Sequence, residues 1–314
     1  MKFRRFLPLL LSASLFLGGS VEAVKYSPPT LTAEFEQMAF MQLYPTFSWE
    51  PLPKTEFYQV RVVNAATNKV VRELLNVEAL NRVTDWEPFT AAGEYYWQVR
   101  VVDKKHNPLS DWSEKKFFKV EMPVEFAAFG DSITHGGAAY IPAGQLSCQW
   151  ETYCDVPIKN LARSGDTTEM MLERFDRDVL PFAPRVMVIM AGVNDYRANI
   201  LGAESVDNLI LIRDKCERNG IKPVFLTPTP LNPAQIQKLG FIDLPPEDWQ
   251  EHQRFICEWI RDQENFIDVN EKLTDAEGNL LEFLSVDGLH PDAEGKKIIG
   301  EAVAAWLDKY LNLK

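Results

Sequence analysis

"VEFAAFGDSITHGG", residues 124–137, reads as a strand that runs into a loop. Phe126, Ala127, Ala128 and Phe129 are apolar in succession with no polar alternation, as in a strand covered on both faces. Gly130-Asp131-Ser132 then ends the run with turn formers. The pattern recurs downstream. "VPIKNLA" (156–162), "RVMVIMAG" (185–192), "KPVFLTP" (222–228) and "NFIDVN" (265–270) are short apolar runs. Residues 167–180, 203–219, 247–263 and 292–311 carry apolar positions at helical spacing between and after them. Alternating strand and helix predicts an α/β domain over residues 124–314 with a mostly parallel sheet.

Residues 25–122 read differently. "PTFSWEPLP" (45–53), "FYQVRVVNAATNKVV" (57–71), "GEYYWQVRVVD" (93–103) and "SEKKFFKV" (113–120) are rich in β-branched and aromatic residues and are separated by turn formers. Tyr58, Val60 and Val62 alternate with Gln59 and Arg61, and Trp97, Val99 and Val101 with Gln98 and Arg100. Period two predicts a sandwich with one buried and one wet face per strand. Trp49, "YYWQVRVVD" and "NPLSDWSEKKFFKV" make this stretch similar to a fibronectin type III-like module. Its inner aromatic residues are read as core, and a carbohydrate or cell-surface contact is one use open to such a module. "VEMPVEF" (120–126) marks the linker. The module is expected to be separable from whatever chemistry the downstream domain performs on a small substrate.

The 314 residues suit about two domains. A net charge of −12 argues against nucleic acid and anionic membranes as partners. Residues 1–23, "MKFRRFLPLLLSASLFLGGSVEA", have a basic head (Lys2, Arg4, Arg5), an apolar run from Phe6 to Leu17, and small residues at Val21 and Ala23. The run is shorter than the ~20 residues that cross a bilayer, so it is read as a cleaved signal peptide. No cysteine follows it, which argues against a lipid anchor. Export permits disulfides. Cys148 and Cys154 are expected to staple one polar segment; Cys216 and Cys257 are read as a second pair or as buried thiols.

Four polar loops fall at one edge of the predicted sheet: "GDSITHGG" (130–137), "NLARSGDTT" (160–168), "AGVNDY" (191–196) and "VDGLHPD" (286–292). In such sheets chemistry gathers beyond the carboxyl ends of the strands. Ser132 offers a hydroxyl that needs a base, and four histidines are available. His106 lies in the β module, His252 on a polar helix, and His135 too close to Ser132 in sequence. His290 remains, with Asp287 three residues earlier to orient it. Ser132 and Gly165 offer N–H groups, and Asn194 an amide, to a developing oxyanion. HExxH, CxxC, GxxxxGK[ST], GxGxxG and GxSxG are absent, so neither metal nor cofactor is expected.

Gly130-Asp131-Ser132-Ile133-Thr134, Gly165, Gly192-Val193-Asn194-Asp195 and Asp287-Gly288-Leu289-His290-Pro291, in that order, make residues 124–314 similar to the SGNH, or GDSL-type, hydrolases. The resemblance implies a flavodoxin-like three-layer α/β/α fold. It implies Ser132 as nucleophile, His290 as base, Asp287 as its partner, and an oxyanion hole of Ser132, Gly165 and Asn194. Asp131, Asp195 and His135 are expected to shape turns. The implied activity is hydrolysis of carboxylic esters, and export tilts the reading toward O-acetyl removal from an extracellular carbohydrate. Lysophospholipid, thioester or aryl-ester hydrolysis is the alternative within the family, and a non-catalytic surface binding protein the alternative outside it.

Overall fold

Val186–Met190 is buried from end to end and forms the central strand of a five-stranded parallel sheet. The structure is a computed structural model that describes residues 26–55, 57–76, 81–137, 141–240 and 244–312. The signal peptide read over residues 1–23 lies outside them.

The N-terminal unit holds two antiparallel sheets. β1 (Thr46–Ser48) pairs with β4 (Arg82–Thr84), and β2 (Phe57–Asn64), β3 (Val70–Asn76), β5 (Gly93–Val102) and β6 (Lys116–Val120) form a four-stranded sheet ordered β3-β2-β5-β6. The inward residues pack as their period requires: Phe47 lies 5.1 Å from Trp97, and Trp49 lies 4.9 Å from Tyr58, between ring centroids. The outward face is drier than alternation predicts. Gln59 and Gln98 are buried because Arg100 donates to Gln59 and Arg61 to Gln98, and both guanidiniums lie over the Trp112 ring.

The third sheet contains β7 (Phe126–Gly130), β8 (Ile158–Asn160), β9 (Val186–Met190), β10 (Lys222–Leu226) and β11 (Phe266–Ile267), ordered β11-β10-β9-β7-β8 and parallel throughout. Numbered from β7 this is the 2-1-3-4-5 order of doubly wound sheets, with its switch point between β7 and β9. The helices are α1 (Ser132–His135), α2 (Thr168–Asp178), α3 (Val193–Arg197), α4 (Gly202–Arg218), α5 (Pro233–Lys238), α6 (Trp249–Arg261), α7 (Asn270–Leu273) and α8 (Ala293–Asn312). α4 packs on both α2 and α6, while α8 packs against β11 and the 3-10 turns at 146–153. Gly130 ends β7 so close to β9 that a Cβ would run into the Met190 carbonyl.

The two units share buried polar contacts, against the expectation of a separable module. Leu43 N–H donates to Asn160 O at 2.9 Å, and the Tyr44 hydroxyl donates to Asp178 at 2.5 Å. The Lys159 ammonium, buried beneath the sheet edge, donates to Met41 O. Apolar residues of both units belong to one core.

The cysteine pairings expected from export do not form: all four cysteines are free thiols. Cys148 closes one 3-10 turn and Cys154 caps the next, and the Cys154 thiol points to Gly300 O of α8 at 3.4 Å. Cys216 and Cys257 sit in the buried faces of α4 and α6.

Candidate active site

All four polar loops lie at one edge of the parallel sheet, and each contributes residues to a single cleft. Asp131 accepts from Ile133 N–H at 2.9 Å and caps α1, which places Ser132 at the first helical position. That position's N–H has no carbonyl to bond within its own helix. Gly165 sits in the left-handed region at φ 89°, and no atom lies within 4 Å of where its Cβ would stand. A side chain there would be strained and would enter the cleft.

The 285–291 loop is both a turn and a bearer of functional groups. Ser285 bridges to Pro291, Val286 N–H donates to His290 O at 2.9 Å, and Gly288 N–H donates to Ser285 Oγ at 2.7 Å. Gly288 has φ 84°, and a Cβ on it would press on the Asn232 carbonyl, so glycine is required twice over. The folded loop turns His290 toward α1. His290 Nε2 lies 2.9 Å from Ser132 Oγ, and Nδ1 lies 2.8 Å from Asp287 Oδ2. Asp287 Oδ1 also accepts from Leu289 N–H at 3.0 Å and His290 N–H at 2.8 Å. Burial works to raise the Asp287 pKa, but the His290 ring and these N–H groups outweigh it and hold the carboxyl at about 2. Asp287 is therefore an anion that orients the imidazole. The arrangement can draw a proton from the Ser132 hydroxyl into the ring.

Asn194, in the first turn of α3, lines the same cleft as Ser132 and Gly165. Its Nδ2 donates to Asp166 O at 2.8 Å, which fixes the amide and leaves a second N–H on that nitrogen. The N–H groups of Ser132 and Gly165 make no hydrogen bond to another described residue. The three residues predicted to hold an oxyanion thus line one cleft, each with an N–H that has no partner among the described residues.

Asp131, Asp195 and His135 hold structure as expected. Asp195 accepts from the Thr168 hydroxyl at 2.5 Å and the Ser205 hydroxyl at 3.1 Å. His135 lies against Ser164 Oγ at 2.8 Å and Tyr44 O at 2.6 Å, and burial pushes its pKa down to about 4. His252 sits in α6, where Gly202 N–H donates to it, and His106 occupies a turn of the sandwich. Neither reaches the cleft.

Sequence reasoning missed two contributors. Arg174 of α2 is buried and bonds Asp166, Asp178, Leu161 O and Gly130 O, tying the ends of β7 and β8 to the Gly165 loop. Its signal was the i,i+4 spacing from Asp178. The second is the sandwich itself. The cleft, about 330 Å³, is lined by Ser132, His290 and Asn194 of the parallel-sheet unit together with Thr84, Arg82 and Trp86 of the sandwich. Nothing in the strand pattern before residue 90 signals that role. Among the described residues no group of three or more His, Cys, Asp or Glu could hold a metal ion.

A profile described as the GDSL-like Lipase/Acylhydrolase family matches residues 128–298, and one for the Rha78A-like N-terminal immunoglobulin domain matches residues 31–123. The N-terminal unit is accordingly immunoglobulin-like. A 119-residue stretch is 30% identical to the uncharacterized lipoprotein YqeF of Bacillus subtilis (strain 168), covering 34% of this chain and 49% of that protein. The chain spans about half the length of that curated relative. A putative acylhydrolase of Bacteroides fragilis aligns at 20% identity and TM-score 0.49, over 60% of this chain and 88% of that one. A catalytic mutant of an acetylxylan esterase from Geobacillus stearothermophilus aligns at 17% identity and TM-score 0.44, over 60% and 95%.

Proposed function

The chain belongs to the GDSL-like lipase/acylhydrolase family, whose activity is ester hydrolysis, and from that premise we propose an exported serine esterase that removes O-acyl groups, acetyl foremost, from an extracellular carbohydrate. The observation that carries the reading is the unbroken hydrogen-bond chain Ser132–His290–Asp287, with Ser132 and His290 lining the cleft. Ser132 Oγ attacks the ester carbonyl while His290 Nε2 takes its proton. The N–H groups of Ser132 and Gly165 and the Asn194 amide receive the oxyanion. Collapse expels the alcohol, which His290 protonates. Water, deprotonated by His290, then releases the acid and restores the serine. No cofactor or metal enters these steps.

Export is supported by the basic head and apolar run of residues 1–23, and YqeF is itself named a lipoprotein. The proposed division is a leader over 1–23, an immunoglobulin-like unit over 25–122 and the hydrolase unit over 124–314. A fluorophosphonate should label Ser132 and stop hydrolysis of p-nitrophenyl acetate, whereas exhaustive chelation should not. Labelling that persists in Ser132→Ala, or turnover lost to EDTA and restored by zinc, would overturn the assignment. Acetate release from acetylated glycans, compared with turnover of lysophospholipids, tests the substrate class.

A further inference from the structure

The cleft that holds Ser132 is lined in part by the immunoglobulin-like unit, and the chemistry of that part is specific. Trp86 is 50% exposed, and contacts with Tyr44 at 6.3 Å, His135 at 6.2 Å and the Arg163 guanidinium at 5.6 Å fix its ring. Most other sandwich tryptophans are core: Trp49 and Trp97 are fully buried. An exposed indole held rigid from behind is a platform for the C–H face of a sugar ring, because it offers apolar area at little entropic cost. Beside it the Thr46 and Thr84 hydroxyls, 2.9 Å apart across β1 and β4, face the same space as hydrogen-bonding groups.

Charge narrows the ligand further. The chain carries a net charge of −12, yet the described residues that line this cleft include Arg82 and Arg197 and neither aspartate nor glutamate. Arg197 ends α3, three residues beyond Asn194, and makes no hydrogen bond or ion pair to another described residue. A half-buried guanidinium without a carboxylate, in an otherwise acidic protein, suits a bidentate anion supplied by the ligand.

We infer that the cleft takes an acylated glycan whose sugar bears a carboxylate, with the ring stacked on Trp86 and the carboxylate paired with Arg197. The inference rests on the esterase reading above and names the alcohol side of its substrate. The immunoglobulin-like unit is then a specificity wall of the active site.

The test separates binding from hydrolysis. Full-length Ser132→Ala protein is titrated with oligogalacturonate, with sialyllactose, and with a neutral xylo-oligosaccharide. An acidic sugar should bind at least ten-fold more tightly than the neutral one. Its affinity should fall with added salt, and Arg197→Gln should erase the margin. Trp86→Ala should weaken all ring-containing ligands, and circular dichroism should show both variants folded. The oligogalacturonate and sialyllactose arms distinguish a uronic acid from a sialic acid as the source of the carboxylate. Equal binding of acidic and neutral sugars, or a margin that survives in Arg197→Gln, overturns the inference. In the active protein the same margin should appear in kcat/KM for the acetylated forms. Selective binding with no hydrolysis of any ester would count against the esterase reading alone.

Discussion

His135 Nε2 meets the main-chain carbonyl of Tyr44 at 2.6 Å, joining the loop after the first strand of the parallel sheet to a residue 91 positions earlier in the immunoglobulin-like unit. Gln42 makes a second bond across the same seam, donating to His135 O at 2.5 Å. These are buried polar groups that satisfy one another, and leaving such a group unpaired costs about 1–3 kcal/mol.

A chain beginning at Pro123 strips away Met41, Gln42 and Tyr44 together. The Lys159 ammonium then loses its acceptor and Asp178 its hydroxyl donor. We expect the truncated chain to melt without cooperativity, or far below the full chain, and to lose most hydrolysis of p-nitrophenyl acetate. Calorimetry and kcat on the two chains check this; a sharp, unshifted melt with unchanged kcat would show that the seam is dispensable.

The same seam should respond to acid. Burial holds the His135 pKa down from 6.5 to about 4. Between those values the unfolded chain binds a proton that the folded chain refuses, so this contribution is complete above pH 6.5 and fades as pH falls toward 4. Its full size is on the order of 3 kcal/mol. Asp131 and Glu151, which burial pushes up to about 7, act in the opposite sense: they stabilise at low pH and lose that stabilisation as pH rises through 7. The His135 part is therefore read as a difference. Urea midpoints of wild type and His135→Gln, measured at pH 7.5 and 5, should show less acid-side loss in the variant; parallel behaviour would remove His135 from the account.

Arg174 should act through stability and position together. Arg174→Met leaves Asp166 and Asp178 with less cationic compensation in a buried site, a change worth roughly 3–5 kcal/mol. We expect a fall of roughly 10 °C in Tm. We also expect a lower kcat at temperatures where the variant is fully folded, because the Gly165 loop loses its tie to β7 and β8. Unchanged kcat in the folded variant would confine Arg174 to stability.

The parallel sheet was legible because its strands are largely apolar without alternation and four of the five run into Gly, Asp, Ser or Asn. The Ser132, Asp287 and His290 positions were legible because few histidines existed and, of the two at the loop edge, His135 stands too close to Ser132 in sequence, which leaves His290. The cleft's second wall was not. Trp86 stands in a short polar stretch, "TDWEPF", with no periodicity, and what exposes it to Ser132 is the docking of one unit on the other. The cysteines misled for a related reason: proximity along the chain said nothing about where each thiol pointed once a 3-10 turn separated them.

Asn194 offers the sharpest test of the oxyanion assignment. One of its amide hydrogens is committed to Asp166 O at 2.8 Å, so the side chain is fixed before substrate arrives. The other hydrogen helps only when negative charge develops on the substrate oxygen, and the benefit belongs to the transition state rather than to the bound ester. Asn194→Ala should lower kcat about 10²–10³-fold, about 3–4 kcal/mol, with little change in KM if binding equilibrates before chemistry. The lost bond to Asp166 O should also cost about 1 kcal/mol of stability. Thermal melting and active-site titration with a fluorophosphonate separate the two effects. Asn194→Asp keeps the shape but replaces the donor with an acceptor, and it should be at least as slow as the alanine variant. If kcat per titrated site stays at the wild-type value in both variants, Asn194 serves only to hold the Asp166 loop, and the N–H groups of Ser132 and Gly165 carry the oxyanion by themselves.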